Sequence, residues 1–350
     1  MPTFLHDTPE SVSVVLSALK DTQTLLFDCE GPSLGMQGGG VVLLSLGTPQ
    51  SDDVHLVHIT PIGLPALCPI FELFESAAVQ KVTYDGRLAQ SGLFYECGGV
   101  MIHNVVDMQV VVMQAQRLAD EGKSVQARAQ RLIPYLPPRE VLGKPELYPK
   151  LLKLPALGST VKELKIGGAE GITNVELKRR LRPVVNWSDD ILTQDHIDYA
   201  ANDIHLLHKL YTHFTANMAP TATQTQASLS DGKAANAFAF DQNLRDASAA
   251  YVSMWTTAAR QPCASHPYRG HPLFPLGILD EPGWGDDLVV CEGCKRELMP
   301  ECFSKNNAAA STGHGNLSAS APGHGGKCLV CCAVQLHNEK PPPPARQMRR

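Results

Sequence analysis

A short apolar segment that ends in two acidic residues constrains the fold of this chain most strongly. The run from Thr24 to Phe27 is typical of a buried strand, and Asp28 and Glu30 follow at its end. Because side chains alternate along a strand, residues two positions apart lie on the same face of a sheet. The sequence therefore predicts two carboxylates side by side at the end of a buried strand.

A second acidic position lies far along the chain, on a predicted helix. The segment around Tyr199 and Asp203 has helical periodicity, and residues four apart share one helix face. The apolar stripe of this helix consists of Ile197, Ala200, Ile204 and Leu207. Carboxylates from a strand and from a distant helix can together hold divalent metal ions that align a water molecule with a phosphodiester. The combination indicates phosphodiester hydrolysis.

These motifs resemble a known family of nucleases. The motifs DCE at 28–30 and YAAND at 199–203, with the stretches KVTYDGRLAQSGLFYECG and IHNVVDMQV between them, are similar to the tyrosine subclass of the DEDD 3′–5′ exonucleases. That subclass includes ribonuclease D and Werner-type exonuclease domains, and the resemblance covers roughly Pro9 to Phe214. In the related histidine subclass, a His lies five residues before the last Asp; here that position is Asp198.

The resemblance implies a fold, a cofactor and residue roles. The implied fold is α/β and ribonuclease H-like, with a mixed β-sheet flanked by helices. Asp28, Glu30 and Asp203 are implied to bind Mg²⁺ or Mn²⁺, and Tyr199 is implied to orient the attacking water. The implied reaction is removal of nucleotides from a 3′ end by phosphodiester hydrolysis.

The chain departs from the family pattern at one metal-binding position. Counting along KVTYDGRLAQSGL from Lys81, the position where relatives carry a further metal-binding Asp is Ala89, and a methyl group cannot bind a metal. Asp85, four residues earlier, is expected to cap the next helix, with a compensating ligand role as the alternative. Asp107 is likewise expected to be a helix cap rather than a catalytic residue. The resemblance therefore implies weak support for the metal on the leaving-group side.

Four regions are expected along the 350 residues, of which 43% are hydrophobic. They are an exonuclease-like domain at 9–215, a low-complexity linker at 216–286, a zinc-binding segment at 287–336 and a disordered tail at 337–350. Within the first region, a helix is predicted from about Pro9 to Lys20 and another near Arg87–Glu96. Strands are predicted at Thr24–Cys29, Val41–Leu46, Val54–Ile59, Lys81–Tyr84 and Met101–Asn104.

Two Cys-x-x-Cys pairs near the C-terminal end predict a zinc finger. Cys291 and Cys294 form one pair, and Cys328 and Cys331 form the other. Two such pairs complete a tetrahedral zinc site, and the low-complexity insert between them can loop out at a small cost in closure entropy. The alternative is two pairs of reduced cysteines that bind no metal.

Charge and composition indicate the partners and the compartment. The net charge of −5 supplies no global positive field, so local basic residues would have to contact a nucleic acid. The candidates are Lys162, Lys165, Lys178, Arg179, Arg180 and Arg182, and the alternative is that this run is a solvated helix face. No apolar run reaches the roughly 20 residues that cross a bilayer, and no secretory signal is evident. The ten cysteines favour a reducing compartment, so we expect an intracellular protein of the nucleus or cytoplasm.

Three functions are compatible with these patterns. The first is a metal-dependent 3′–5′ exonuclease that acts on single-stranded RNA or DNA or on a 3′ end. The second is a catalytically degenerate module of the same fold that binds nucleic acid or protein. The third places the main role in the zinc finger, through a protein partner, with the large domain as a scaffold. Ala89 is the residue that favours the second function over the first.

Overall fold

The computed structural model divides the chain into two compact units. The first unit comprises Met1–Leu118 and Pro155–Ser265, and the second comprises Ala119–Leu154 and His266–Arg350. The residues that the structure describes are 2–132, 142–143, 145, 151–188, 191–216, 240–253, 256, 273–275, 289–293, 297–298, 303, 326–328 and 331–332.

The described strands and helices are numbered here in chain order. The strands are β1 (Thr3–His6), β2 (Thr24–Glu30), β3 (Leu43–Gly47), β4 (Val54–His58), β5 (Gln80–Thr83), β6 (Val105–Asp107), β7 (Leu151–Lys153), β8 (Leu273–Pro275), β9 (Val289–Val290) and β10 (Glu297–Leu298). The helices are α1 (Ser11–Leu19), α2 (Ile59–Ile62), α3 (Leu64–Glu75), α4 (Arg87–Glu96), α5 (Met108–Ala119), α6 (Val125–Ala129), α7 (Leu157–Glu163), α8 (Gly168–Leu181), α9 (Gln194–Ala216) and α10 (Gln242–Ser253). Among these described helices, none is both long enough and apolar enough to cross a membrane.

A six-stranded mixed sheet forms the centre of the first unit, with the strand order β1-β4-β3-β2-β5-β6. Strand β3 runs antiparallel to both β2 and β4, whereas β1 is parallel to β4, and β5 is parallel to both β2 and β6. Three consecutive residues of β2, Leu25, Leu26 and Phe27, are fully buried. Continuous burial along a strand means that both faces of the sheet are covered. The predicted mixed sheet flanked by helices is confirmed.

The element predictions are accurate near the carboxylates and less so elsewhere. Helix α4 has the predicted bounds, and β2 covers the predicted strand and extends to Glu30. The short strand predicted near Met101–Asn104 exists but lies later in the chain, because the residues that pair with β5 are Val105–Asp107. Strand β1 was not predicted at all; it adds a parallel edge strand beside β4 and lies before the expected start of the domain at residue 9.

Helix α10 corrects the predicted linker at 216–286. Its buried face is made of Leu244, Ala247, Ser248, Tyr251 and Val252, and it packs against β6 and α4 in the first unit. Small side chains such as Ala247 and Ser248 allow a helix to approach its neighbours closely. The part of the predicted linker at 217–239 lies outside the described residues. The first unit therefore includes a helix well beyond the predicted end at residue 215.

The side chain of Tyr251 joins α10 to a buried polar network. Its hydroxyl hydrogen-bonds to the side-chain oxygen of Gln109 and lies 3.3 Å from Asp85 Oδ1. The carboxylate of Asp85 also accepts two hydrogen bonds from the Arg87 guanidinium, at 2.6 and 2.9 Å. That guanidinium lies 4.8 Å from the centroid of the Tyr251 ring. Because buried polar groups are costly when unpaired, this network fixes α10 against the turn that leads into α4.

Asp107 closes the same network from β6. Its buried carboxylate accepts hydrogen bonds from the backbone N–H groups of Asp85, Gly86 and Gln109, at 3.1, 2.7 and 2.8 Å. The bond from Gln109 lies in the first turn of α5, so the predicted capping role of Asp107 is confirmed. The backbone N–H of Asp107 donates to Ser248 Oγ at 3.1 Å, which adds a second link to α10.

Replacing Tyr251 with phenylalanine is expected to lower the free energy of unfolding by about 1–3 kcal/mol, because the carboxylate and amide oxygens lose a buried donor while the ring remains in place. Urea unfolding followed by circular dichroism measures the change. Tyr211→Phe is the matched control, since the side chain of Tyr211 is only half-buried. Equal stability of Tyr251→Phe and the unmodified chain would contradict the structural role of the hydroxyl.

The described residues of the second unit form two small antiparallel strand pairs. Strand β7 pairs with β8, and β9 pairs with β10. Helix α6 is capped by Ser124, whose hydroxyl accepts a hydrogen bond from the backbone N–H of Ala127. Cys291, the first of the predicted zinc ligands, directly follows β9.

Candidate active site

Strand β2 presents two carboxylates on one face of the sheet. Asp28 and Glu30 alternate along the strand with buried Cys29, and β2 lies between β3 and β5. The two acidic side chains are half-buried, whereas Cys29 on the opposite face is buried in the core. The alternation predicted from the sequence is therefore present in the structure, and it places Asp28 and Glu30 on one face of β2.

Helix α9 brings the third carboxylate to the same place. Asp203 is buried on the face of α9 that packs against β2, β3 and β4. This packing depends on a glycine in β3, because a Cβ atom added to Gly47 would lie 2.8 Å from the Ile204 side chain. Buried Ala200 and Ala201 keep the rest of the contact equally close. The helix can therefore place Asp203 beside the strand.

One oxygen from each of Asp28, Glu30 and Asp203 lies within 4.8 Å of the others. We call this group the carboxylate cluster. Burial raises the pKa of Asp28 to about 7, and repulsion from Asp203 adds to the increase. Burial, followed by repulsion from Asp28, also raises the pKa of Glu30 well above its usual value. The cluster therefore disfavours three bare negative charges and favours a cation among them.

The oxygen donors of the cluster fit a hard divalent cation. Mg²⁺ and Mn²⁺ prefer carboxylate oxygens, and a shared Mg²⁺ would bind its ligands at about 2.0–2.1 Å. Oxygens within 4.8 Å of one another need only small side-chain adjustments to reach that arrangement. Asp28, Glu30 and Asp203 are thus the described residues that could hold such an ion.

Tyr199 lies one helical turn before Asp203 and is half-buried, and the Lys178 ammonium lies 5.3 Å from the centroid of its ring. Trp187 packs edge-on against its ring, with the two centroids 6.2 Å apart. Burial raises the pKa of the Tyr199 hydroxyl above its usual value, and the nearby carboxylate of Asp203 raises it further. The hydroxyl is therefore protonated at neutral pH and can donate a hydrogen bond.

Lys178 does not face solvent with the other basic candidates for nucleic-acid contact. Its ammonium lies in the carboxylate cluster, 2.5 and 2.6 Å from the two oxygens of Asp203. Although burial alone would lower the pKa of Lys178, the charge of Asp203 raises it above its usual value. Helical spacing could have indicated this orientation, because Lys178 shares a face of α8 with the buried residues Gly171 and Leu181.

The other basic candidates differ in their exposure and pairing. Lys162 and Arg179 both form ion pairs with Glu176, each at 2.7 Å, so much of their charge is balanced locally. The remaining three candidates are exposed on the surface; they are Lys165, Arg180 and Arg182. The expected basic surface is thus smaller than the sequence predicted.

Neither Ala89 nor Asp85 supplies the further metal-binding carboxylate that the family resemblance implies. Ala89 is buried in the first turn of α4 and offers no donor atom. Asp85 is held by Arg87 through both carboxylate oxygens, and it does not belong to the carboxylate cluster found among the described residues. The capping prediction for Asp85 is wrong, because the carboxylate that accepts the N–H of Gly86 at the start of α4 is that of Asp107.

A separate cluster of thiols lies in the second unit. The sulfur atoms of Cys291, Cys328 and Cys331 lie within 4.8 Å of one another, and all three residues are buried. The Cys291 and Cys331 sulfurs are 3.8 Å apart. Two sulfur ligands of one tetrahedral zinc, each about 2.3 Å from the metal, are separated by about 3.8 Å. The spacing therefore fits a shared zinc ion rather than a disulfide, which has an S–S distance of about 2.05 Å.

Local backbone geometry supports the thiol cluster. The backbone N–H of Cys328 donates a hydrogen bond to the Cys291 sulfur at 3.2 Å, which orients that thiol. A Cβ atom added to Gly293 would lie 2.8 Å from the Cys331 sulfur, so glycine is required at this close approach. The fourth predicted ligand, Cys294, lies outside the described residues.

No protein-family model and no curated protein matches the sequence. Solved structures do match. Trypanosoma brucei RNase D in complex with RNA U12 is 16% identical over 91% of this chain and 92% of that chain, with a TM-score of 0.50. The GMP complex of the same enzyme is 14% identical over 75% of this chain and 65% of that chain, with a TM-score of 0.47. Escherichia coli RNase D, an exoribonuclease involved in structured RNA processing, is 16% identical over 62% and 46%, with a TM-score of 0.41.

The alignments with the last two structures span less than two thirds of those chains. At this level of identity the likeness concerns the fold and not the activity. The alignment with the RNA-bound structure, by contrast, extends over nearly the whole of both chains. The chain has a ribonuclease H-like fold, a mixed sheet flanked by helices, and it shares this fold with RNase D.

Proposed function

We propose that this protein is a metal-dependent 3′–5′ exonuclease that hydrolyses phosphodiester bonds of a nucleic acid. The observation that carries the proposal is the convergence of Asp28 and Glu30 from β2 with Asp203 from α9. Strand β2 and helix α9 are far apart in sequence, and a partly buried group of like charges is costly unless it serves a cation. The fold shared with RNase D supports the reaction class.

The residues of the site have distinct roles in this proposal. A divalent ion bound by the carboxylate cluster would supply an activated water and stabilise charge on the scissile phosphate. Asp28, Glu30 and Asp203 would hold the ion. The protonated hydroxyl of Tyr199 donates a hydrogen bond that orients the attacking water. Trp187 restricts the ring of Tyr199, so that the hydroxyl has a defined direction.

The proposed substrate is a single strand with a free 3′ end, and RNA is the first choice for a test. One structural neighbour was solved with RNA U12, which supports RNA as a candidate substrate. The exposed cations Lys165, Arg180 and Arg182 are suited to phosphate contacts, which supply most of the sequence-independent affinity for nucleic acids.

The direct test uses 5′-labelled single-stranded RNA and DNA with Mg²⁺ or Mn²⁺. A ladder that shortens from the 3′ end supports the exonuclease. Internal cuts would indicate an endonuclease. A strand that stays at its full length at all times would reject hydrolysis. A strand with a blocked 3′ hydroxyl is the matched substrate control, because an exonuclease needs access to that end.

Replacing Ala89 with aspartate is expected to raise the Mg²⁺-supported rate by roughly tenfold or more, which is the scale on which single groups act at metal sites. The expected reason is that a carboxylate at this position restores a ligand for the second ion. The unmodified chain should be slow and should prefer Mn²⁺, which tolerates poorer coordination than Mg²⁺.

Ala89→Asn is the matched control for this prediction, because it has nearly the same shape as aspartate without the charge. Since Ala89 is buried, thermal melting of both variants must show that they fold. Vigorous and equal turnover of the unmodified chain in both metals would contradict the prediction.

A second candidate function is a degenerate module that binds nucleic acid without cutting it. Two observations favour it: Ala89 lacks a donor atom, and Lys178 bonds to both oxygens of Asp203. In this case filter binding would detect a complex with single-stranded RNA that is independent of metal, and only Ala89→Asp would shorten the strand.

We also propose that the thiol cluster binds one structural zinc ion through Cys291, Cys294, Cys328 and Cys331. The separation of the Cys291 and Cys331 sulfurs supports this assignment. Four thiolates leave zinc no open position for a reactive water, so the proposed role is folding or recognition of a partner rather than catalysis. This zinc finger is the candidate site for a protein partner.

A further inference from the structure

We propose that the Lys178 ammonium is the resident cation of the carboxylate cluster, and that a divalent metal binds Asp203 only after this ammonium has moved away. The inference rests on the proposed metal site but not on nuclease activity. It makes Lys178 a residue that sets the metal affinity of the site. It also explains why one member of a basic run points inward.

The two carboxylate oxygens of Asp203 are both occupied by Lys178. Both of its oxygens bond to the Lys178 ammonium, at 2.5 and 2.6 Å, and its side chain is only 4% exposed. A metal ion shared with Asp28 and Glu30 must bind one of the same two oxygens. Because a divalent ion and an ammonium repel each other strongly at this range, the two cations compete for Asp203.

The ammonium of Lys178 balances part of the negative charge of the carboxylate cluster. The carboxylate cluster has three acidic groups, and Lys178 is a cation that contacts it directly. Without a cation, the buried carboxylates would repel one another. The lysine therefore stabilises the metal-free state, and that stabilisation is lost when a metal displaces it.

The backbone around Lys178 is fixed, so the side chain must move by itself. Helix α8 is joined to α9 by the Asn202 side-chain amide, which donates to the Asn174 carbonyl at 3.1 Å. An ion pair between Lys209 and Glu170, at 2.9 Å, joins the same helices near the start of α8. The Lys178 side chain is 27% exposed, and its four-carbon stem has many rotamers. It thus has a route to solvent without movement of the helix.

The first test measures Mn²⁺ binding by electron paramagnetic resonance. Lys178→Met keeps the length of the stem and removes the charge. We expect this variant to bind Mn²⁺ about tenfold or more tightly than the unmodified chain, equivalent to about 1.4 kcal/mol or more. Asp203→Asn gives the background from any other Mn²⁺ site.

Two neighbouring cations provide matched controls. Arg182 acts on Asp203 through its charge at longer range, and Arg179 pairs with Glu176 on the exposed side of α8. Arg182→Met and Arg179→Met should each change the Mn²⁺ affinity by less than about threefold, because exposed charges are screened by solvent. An equal gain in Arg182→Met and Lys178→Met would show a general field effect and overturn direct competition.

A second measurement uses the unmodified chain and does not depend on the folding of a variant. Amine acylation read by mass spectrometry should label Lys178 slowly in the metal-free protein and several-fold faster with saturating Mn²⁺. Lys162, whose ion pair with Glu176 is outside the cluster, serves as the internal reference. Unchanged labelling of Lys178 while Mn²⁺ is bound would overturn the displacement.

The outcomes separate the inference from the proposed function. Mn²⁺ binding by the unmodified chain without a gain in Lys178→Met overturns the inference alone. No binding above background by either protein overturns the metal site and the inference together. Binding and displacement without strand shortening would leave the inference intact and reject the exonuclease.

Discussion

Replacing Asp203 with asparagine is expected to lower the metal-dependent rate of 3′ shortening by roughly a hundredfold or more. Even groups that only orient metal ligands are worth about 10–100-fold at such sites, and Asp203 is a proposed ligand itself. Asparagine preserves the shape of the side chain but removes the charge that α9 contributes to the carboxylate cluster. The rate is measured on 5′-labelled RNA with saturating Mg²⁺ or Mn²⁺.

Asp198→Asn is the matched control on the same helix. Asp198 accepts a hydrogen bond from the Gln194 side chain at an exposed position and does not belong to the carboxylate cluster. We expect this variant to retain the rate of the unmodified chain within about threefold. A similar loss in both variants, or no loss in Asp203→Asn, would reject the assigned site. Mn²⁺ binding provides a second readout, because Asp203→Asn should lose it even if turnover is slow.

Local periodicity was sufficient to predict which acidic residues share a face of β2 or of α9. In β2, Asp28 and Glu30 alternate with buried Cys29, so the period of two is visible in the sequence. In α9, Tyr199 and Asp203 are one turn apart on a helix with a clear apolar stripe. These patterns depend on neighbours in the sequence. Periodicity alone does not position a distant helix. The approach of α9 to β2 was therefore predicted from the family resemblance.

The contact between Lys178 and Asp203 could not be predicted from the charges of the basic run alone. Four cations lie close together in the run 178–182, and any of them could have faced solvent. The choice is made by the packing of α8 on α9, which buries Gly171 and Leu181 and turns Lys178 toward Asp203. Only the helical spacing of the buried positions, considered together with the acidic residues, could have indicated this contact.

The missed elements share a physical cause, which is a weak local apolar pattern. In β1 both Phe4 and Leu5 are exposed, so the strand is held by its pairing with β4 rather than by an apolar face. The buried face of α10 includes Ala247 and Ser248, and its main anchor, Tyr251, is held by polar partners. Such elements depend on tertiary contacts that composition does not report.

Replacing Cys291 with serine is expected to reduce bound zinc from about one ion per chain to near zero, because a neutral hydroxyl is a poor substitute for a thiolate. The Cys291 sulfur also accepts a hydrogen bond from the backbone N–H of Cys328, so the substitution changes this contact as well. Zinc is measured by atomic emission after dialysis against metal-free buffer. Cys331→Ser should behave in the same way, since its sulfur lies 3.8 Å from that of Cys291.

Cys332→Ser is the matched control, because Cys332 is adjacent in sequence but its thiol points to the Lys327 carbonyl, 3.6 Å away. It should retain zinc. Metal binding and folding are coupled when the ligands come from separate segments, so a chelator should also unfold the segment around residues 289–334. Hydrogen exchange should then increase there, while exchange in β2 and α9 stays slow, since the carboxylate cluster contains no thiol. Protection around 289–334 that persists after complete zinc removal would show that the buried thiols pack as reduced cysteines and would reject the zinc site.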